Sequence, residues 1–79
     1  MFYYTYVLKS EIDNKFYIGW TDNLKKRLYN HNNGLVAATK FRKPLNLIYY
    51  EACLNKKKAI RREKQLKTGF GRAYLKNRV

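Results

Sequence analysis

Two runs of β-forming, mostly apolar residues come first in this chain. They cover residues 2–8 and 16–20, and the Asp13-Asn14 pair between them is typical of a turn. The pattern therefore predicts an antiparallel hairpin at the amino-terminal end.

Apolar positions at helical spacing follow the hairpin. Thr21 or Asp22 can cap the start of a helix here, and the Asn32-Asn33-Gly34 sequence stops it. We therefore expect the first helix over residues 22–33.

A third strand is predicted next, because Pro44 suits the start of a strand and residues 45–51 are rich in β-forming side chains. A long basic segment then starts at Asn55 and has apolar residues at helical intervals. These apolar positions are Ala59, Ile60, Leu66 and Phe70.

The glycines on either side of Phe70, Gly69 and Gly71, are expected to break this second helix, and a short last helix is expected near residues 72–78. The predicted fold class is α+β: a three-stranded antiparallel sheet flanked by helices, in the order β-β-α-β-α-α. At 79 residues the chain has room for one hydrophobic core, so we predict a single domain over residues 1–79.

Charge narrows the class of partner. The chain has 18 Lys and Arg against 5 Asp and Glu, a formal net charge of +13, and 46% of its residues are hydrophobic. A folded protein with this charge is expected to bind a polyanion, and the aromatic content favours nucleic acid. Ribosomal and chromatin-type binders share the charge, and an anionic membrane surface would also attract it. Charge therefore indicates the partner and leaves the activity open.

The numbers of cysteines and histidines exclude a disulfide framework and a zinc site. Cys53 is the only cysteine and His31 the only histidine, so one chain can form neither a disulfide framework nor a four-ligand zinc site. A lone thiol fits a reducing, cytoplasmic setting. The apolar start of the chain lacks the basic lead-in and cleavage site of a signal peptide, and Lys9 ends it too early for a membrane span.

Three charged or titratable residues fall on helix faces that should be buried. Arg27 and His31 share a stripe with Leu24 and Leu28, at the spacing i, i+3, i+4, i+7. Glu63 lies in the middle of the apolar stripe of the second helix, where a carboxylate needs a cation or a metal as a partner. A structural ion pair of Glu63 with an arginine, and a place for His31 at the edge of the core, would also explain these positions.

Strand alternation places tyrosines in the same region. Tyr4 and Tyr6 share one face of the first strand, while Tyr17 and Gly19 share one face of the second, where the glycine leaves space beside Tyr17. Such a tyrosine stripe is also typical of core packing or of a base-stacking surface.

Together these residues form a pattern that resembles the GIY-YIG nuclease family, in its small stand-alone bacterial branch. The match covers essentially the whole chain, and residues 15–28 are its most specific stretch, because an arginine follows the tyrosine of Tyr-Ile-Gly by ten residues. Tyr4-Thr5 stands where the family has Gly-Ile. The matching residues are Tyr6, Phe16-Tyr17-Ile18-Gly19, Arg27, His31 and Glu63.

The resemblance implies metal-dependent cleavage of a DNA phosphodiester, directed by the structure of the DNA, in DNA repair or recombination. Glu63 would supply an oxygen ligand to a single Mg²⁺ or Mn²⁺ ion, held weakly without DNA. Arg27 would present two parallel N–H donors to the scissile phosphate. The phenolate of Tyr17 or Tyr6 would activate the water, and His31 would relay the proton or bind phosphate.

Further DNA contacts are expected from Gly19 and from four surface residues: Lys26, Lys40, Arg62 and, by a loose match in spacing, Asn77. Neither a small-molecule cofactor nor a membrane partner is expected. The sequence leaves open which DNA structure is cut, whether a partner protein is needed and whether the chain forms a homodimer.

Two alternatives without catalysis stay open. A basic nucleic-acid-binding protein of the same fold would need the lysines and arginines but not Glu63. An RNA- or ribosome-associated protein would suit the composition alone. The nuclease interpretation requires that Glu63 and Arg27 converge, together with the hairpin tyrosines, around a shared hollow.

Overall fold

A computed structural model describes the whole chain, residues 1–79. The strands are β1 (Tyr3–Ser10), β2 (Phe16–Thr21) and β3 (Leu45–Cys53), and the helices are α1 (Leu24–Asn32), α2 (Lys56–Leu66) and α3 (Gly69–Lys76). The α+β fold class and the order β-β-α-β-α-α are as predicted. None of the helices has the length and apolar character that crossing a membrane requires.

The strands form one antiparallel sheet in the order β2-β1-β3. The predicted turn joins β1 to β2, and its Asn14 has a φ of 58°, a left-handed conformation that asparagine tolerates better than most residues. Because β1 is central and covered on both faces, residues 5–8 are buried without alternation.

Helices cover both faces of this sheet. On one face, α1 packs against a cluster that contains Tyr6 and Leu8 of β1. On the other face, Val7 of β1 packs with Leu66 of α2 and Leu75 of α3. Alternation along β1 thus sends Tyr6 to the α1 side, where the unusual polar residues of α1 lie.

The sequence predicted that the first helix starts at Asp22. In the structure it begins at Leu24, because Asn23 is its N-cap. The Asn23 side-chain oxygen accepts a hydrogen bond from the Lys26 N–H at 3.1 Å. The Thr21 hydroxyl instead accepts a hydrogen bond from the Asn23 N–H at 3.1 Å, which shapes the loop before the helix.

The end of the chain differs most from the prediction. The second helix ends at Leu66, so Phe70 does not extend its apolar stripe and lies, exposed, in the first turn of α3. Thr68 caps α3 by accepting a hydrogen bond from the Gly71 N–H at 3.4 Å. Gly69 and Gly71 therefore do not break a helix. At Gly71 a Cβ would collide with the backbone of Leu66, so the glycine lets α3 approach α2 closely.

Candidate active site

A continuous chain of hydrogen bonds runs through the α1 side of the sheet. The Arg27 Nε–H donates to Tyr6 Oη at 3.2 Å, Tyr6 Oη lies 2.9 Å from His31 Nε2, and His31 Nδ1 lies 2.7 Å from Thr39 Oγ1. Tyr6 is 1% exposed, and His31 and Thr39 are completely buried. Residues from β1, α1 and the α1–β3 connection thus form one dry polar network.

The protonation state of His31 determines which way these hydrogen bonds run. Burial, and after it the positive charge of Arg27, lowers the pKa of His31 to about 4, so the ring is neutral near pH 7 and carries one N–H. His31 Nε2 is the one acceptor within reach of the Tyr6 hydroxyl, since the Arg27 Nε–H can only donate. Tyr6 therefore donates to Nε2, and the Nδ1–H donates to Thr39.

Tyr6 keeps its proton in this network. Burial raises the pKa of the Tyr6 phenol above its ordinary value, Arg27 opposes that rise, and the charge of Glu63 adds to it. A buried phenol with a raised pKa is a poor base. Of the two tyrosines considered as the base, the geometry therefore argues against Tyr6.

Gly19 provides the space that the Tyr6 ring occupies. It pairs with Tyr6 in the β1–β2 register, and a Cβ at this position would lie 2.5 Å from Tyr6 Oη and 2.7 Å from Cζ. Any larger residue would push the phenol out of its hydrogen bonds with Arg27 and His31. The predicted space beside Tyr17 thus lies beside Tyr6 instead, and Gly19 is itself buried rather than open to a substrate.

Arg27 forms no ion pair, although its guanidinium is within hydrogen-bonding reach of Tyr17 as well as of Tyr6. Its hydrogen bond to Tyr6 uses Nε, and no carboxylate lies within salt-bridge distance of the guanidinium. The side chain lines a surface pocket together with Trp20, Thr21 and Asp22. A structural ion pair between Arg27 and Glu63 is therefore not what places these residues on their helices, and Arg27 is free to bind an anion.

Glu63 brings a negative charge to the same network from α2. Its contribution to the raised pKa of Tyr6 puts the carboxylate within electrostatic range of the phenol. The side chain is 18% exposed, and Oε2 lies 3.5 Å from Nζ of Lys67 on the same helix. An exposed lysine at this spacing is a weak partner, and Oε1 has none, so the carboxylate can bind a cation.

Tyr17 is the more accessible of the two phenols. Its half-buried ring lies 5.0 Å from the His31 ring and 6.4 Å from the Tyr6 ring, measured between centroids. The hydrogen bond to Tyr6 is the main reason that the pKa of Arg27 is raised, and Tyr17 adds to the rise. The structure thus brings Tyr6, Tyr17, Arg27 and His31 together by direct contacts, whereas Glu63 is linked to them only through the effect of its charge on Tyr6.

Comparison with known proteins shows which family this chain belongs to. The protein family described as "GIY-YIG catalytic domain" matches residues 2–77 of this chain. The chain belongs to the GIY-YIG family.

Its relatives place this GIY-YIG protein in the UPF0213 group of small bacterial proteins. It is 46% identical over 65 residues to a UPF0213 protein of Clostridium perfringens, covering 81% of this chain and 69% of that relative. It is 42% identical over 67 residues to one of Staphylococcus haemolyticus, covering 84% and 80%. The solution NMR structure of a UPF0213 protein from Bacillus halodurans is similar with a TM-score of 0.60 and 28% identity, over 98% of this chain and 84% of that one.

The residues expected to contact DNA differ in their exposure and in whether another side chain already binds them. Lys26 and Lys40 are exposed and form no salt bridge, and Asn77 is exposed at the C-cap of α3. Arg62 is different, because its Nε and Nη2 nitrogens donate to the Glu51 carboxylate at 3.0 to 3.1 Å. Its charge is already engaged, which argues against Arg62 as a phosphate contact.

Thr39 belongs to the site, although the sequence did not indicate it. It lies in the irregular connection between α1 and β3, where no period predicts which side chains point inward. The only clue in the sequence is a hydroxyl residue among small and basic neighbours, eight positions after the single histidine.

The donor atoms of the site fit a Mg²⁺ ion that takes few ligands from the protein. No group of three or more His, Cys, Asp or Glu residues comes together in the structure, so a cage made of protein ligands is absent. Mg²⁺ often binds through one or two carboxylates, with water and a substrate phosphate as its other ligands. Glu63, partly exposed and with one free oxygen, fits that requirement.

Mild acid is expected to destabilise the protein through His31. The ring has an ordinary pKa of 6.5 and a pKa of about 4 in the fold, so the unfolded chain takes up the proton first. The free energy of unfolding should be unaffected by His31 above pH 6.5 and should fall by up to about 3 kcal/mol as the pH drops toward 4. Urea unfolding at a series of pH values measures this loss.

The His31→Gln variant is the control, because it keeps a polar side chain and cannot titrate. Its free energy of unfolding should change much less between pH 6.5 and pH 4.5 than that of the wild type. NMR of the wild-type ring gives a second readout, since the ring should stay neutral at pH 5. A ring that titrates near 6.5 in the folded protein would contradict the prediction.

Proposed function

We propose that this GIY-YIG protein is a metal-dependent DNA endonuclease that hydrolyses a phosphodiester bond during DNA repair or recombination. One observation carries the proposal: the Arg27 guanidinium, which has no carboxylate partner, is held by a hydrogen bond to the buried Tyr6 phenol, and the partly exposed Glu63 carboxylate keeps an oxygen without a partner. A phosphodiester needs both, because the anion must be bound by a cationic donor and its metal by an oxygen ligand.

Arg27 would bind the scissile phosphate. Its Nε–H is tied to Tyr6, which holds the plane of the guanidinium, and no carboxylate competes with phosphate oxygens for the two Nη nitrogens. Fixed donors of this kind stabilise the charge that develops on the phosphate in the transition state. A lysine would lack both the second donor and the hydrogen bond that orients the first.

Tyr6, His31 and Thr39 would act as positioning residues. All three are buried, so they reach the DNA only through Arg27 and Tyr17. This burial also argues against the expectation that His31 binds phosphate itself. Their hydrogen bonds keep the Tyr6 oxygen 3.2 Å from Arg27 Nε. The guanidinium would therefore be held in one orientation before DNA binds.

Glu63 would hold a Mg²⁺ or Mn²⁺ ion, with water and the substrate phosphate as the other ligands. When bound, the ion would neutralise phosphate charge and help the leaving oxygen depart. Lys67, 3.5 Å from the Glu63 carboxylate, balances that charge in the protein without DNA.

Tyr17 would orient the attacking water and accept its proton. It is half-buried, whereas Tyr6 is 1% exposed. The water oxygen would form the new bond to phosphorus as its proton passes to the phenolate form of Tyr17, and the bond from phosphorus to the leaving sugar oxygen would break, with that oxygen taking a proton from solvent. The geometry supports this assignment, because the Tyr17 ring lies 5.0 Å from the His31 ring and Tyr17 is more exposed than Tyr6.

A cleavage panel tests the proposed function. Labelled duplex, nicked, flapped and branched DNA should be incubated with wild-type protein in Mg²⁺, Mn²⁺ or EDTA. We expect cuts in at least one substrate that require the metal. Binding by anisotropy, measured beside the panel, should weaken steeply with salt, since a net charge of +13 favours contacts with phosphates.

Three results would reject the nuclease. Tight binding of every DNA without a cut in either metal would indicate the non-catalytic binder of the same fold. Stronger binding or cutting of RNA of the same sequence would indicate the RNA-associated alternative. Cleavage that is equal in EDTA would indicate a contaminating or metal-independent activity.

A further inference from the structure

A β-turn between α1 and β3 presents an aromatic ring to solvent. The Arg42 N–H donates to the Thr39 carbonyl at 2.8 Å, which closes a turn with Lys40 and Phe41 at its central positions. Phe41 is 84% exposed. Nζ of Lys40 lies 4.9 Å from the ring centroid and can cover one face of the ring at most. Burial of this ring therefore contributes nothing to the fold.

Both corners of the turn are anchored. At one corner the Thr39 hydroxyl lies 2.7 Å from His31 Nδ1. At the other, Arg42 Nε donates to Asp13 at 2.8 Å, and the Arg42 carbonyl accepts a hydrogen bond from the Ser10 hydroxyl at 2.6 Å. With both corners held, the backbone of the turn keeps Phe41 at an exposed tip.

The tip lies next to the buried Thr39–His31 hydrogen bond and is positively charged. Phe41 follows Thr39 by two residues, so their Cα atoms are at most about 7 Å apart, and Thr39 contacts His31 directly. Lys40 and Lys43 flank the ring in sequence, and neither forms a salt bridge. A fixed ring beside free ammonium groups is suited to a nucleotide, since a base stacks on the ring and the phosphate contacts the lysines.

We propose that Phe41 stacks on an unpaired base of the bound DNA, so that the substrate is DNA with an unstacked nucleotide, such as a gap, flap or bulge. The proposal rests on the proposed function. Both faces of a base in continuous duplex are covered by its neighbours, and exposing one of them costs free energy. Exposing a face of an unpaired base costs little free energy. The tip therefore binds DNA with an unpaired nucleotide more tightly than continuous duplex.

Binding without cleavage tests the proposal. The parent protein carries Glu63→Gln and is kept in EDTA. Its ligands are two DNAs of one sequence, a continuous duplex and a duplex with a single bulged 2-aminopurine, a base whose fluorescence falls on stacking. The variants are Phe41→Ala, which removes the ring, and Phe41→Trp, which keeps one. Leu35→Ala is the matched control, because Leu35 is an apolar residue of the same connection and is 67% exposed.

The parent should bind the bulged DNA about tenfold more tightly than the duplex and should quench the 2-aminopurine. Phe41→Ala should bind both DNAs about equally and leave the fluorescence high, whereas Phe41→Trp and Leu35→Ala should behave like the parent. The preference and the quenching depend on the ring alone, since the exposed position tolerates alanine without loss of the fold.

Failure of this inference is separable from failure of the nuclease. If the wild type cuts DNA with Mg²⁺ but Phe41→Ala keeps the preference for the bulge, the stacking site is rejected and the nuclease stands. If the wild type cuts nothing but quenching still requires the ring at Phe41, the stacking site stands alone. A stronger ring-dependent preference for bulged RNA would overturn the assignment to DNA.

Discussion

The Arg27→Lys variant is expected to cleave DNA about 10²- to 10³-fold more slowly than the wild type in Mg²⁺, while its affinity for DNA changes by less than about threefold. Lysine keeps the positive charge but loses the hydrogen bond to Tyr6 and one of the two parallel donors. Most of the loss should therefore fall on the rate of the bound complex. Single-turnover cleavage with excess protein, together with anisotropy in EDTA, separates the rate from the affinity.

Arg61→Lys is the control for this change, because Arg61 is an exposed arginine of α2 that forms no salt bridge. It should cleave like the wild type. Far-UV circular dichroism and the urea midpoint exclude a folding defect in either variant. Cleavage by Arg27→Lys within about threefold of the wild type would mean that the reaction needs neither the paired donors of Arg27 nor its hydrogen bond to Tyr6, and would remove the proposed role of Arg27 in the transition state.

Glu63→Gln is expected to lose metal-dependent cleavage by about 10³-fold, because the contribution of a bound metal ion amounts to several kcal/mol. Glutamine keeps the size of the side chain and removes the charged ligand. In EDTA this variant should bind DNA as tightly as the wild type or more tightly, since one negative charge has gone from a protein of net charge +13. Rates at increasing Mg²⁺ measure the loss and any partial recovery.

Glu11→Gln is the matched control, because Glu11 is an exposed acid whose side chain contacts only Asn46, at 3.0 Å. Removing its charge should leave cleavage unchanged. Weaker DNA binding by Glu63→Gln would indicate a folding defect rather than a lost ligand. Cleavage at the wild-type rate and the same Mg²⁺ requirement would show that Glu63 is not the metal ligand.

The protonation states of Tyr6 and His31 bear on both cleavage and the pH dependence of stability. The same burial that raises the pKa of Tyr6 also lowers the pKa of His31 to about 4, so both side chains stay neutral across the physiological range. A neutral network does not compete with DNA phosphate for Arg27. Substitutions in Tyr6 or His31 should therefore affect cleavage through the orientation of Arg27 rather than through a direct contact with DNA.

Local periodicity was sufficient to predict the order of the elements. Strand alternation around Tyr6 and the helical spacing of Leu24 and Leu28 report which faces are buried, and burial of apolar side chains is the main driving force of folding. The ends of the helices were less certain, because a cap is a single hydrogen bond. Asn23 and Thr68 form those caps, and competing candidates stood beside Asn23.

The sequence by itself determined that three polar residues, Arg27, His31 and Glu63, lie on the inner faces of two helices, because a helical period orients every side chain on its own element. The tertiary structure alone decided what they contact. It placed Thr39 against His31, put Gly19 under the Tyr6 ring, left Arg27 without a carboxylate, and held Phe41 out in solvent. These contacts join segments far apart in sequence, so they depend on how the helices pack on the sheet, and no local pattern encodes that.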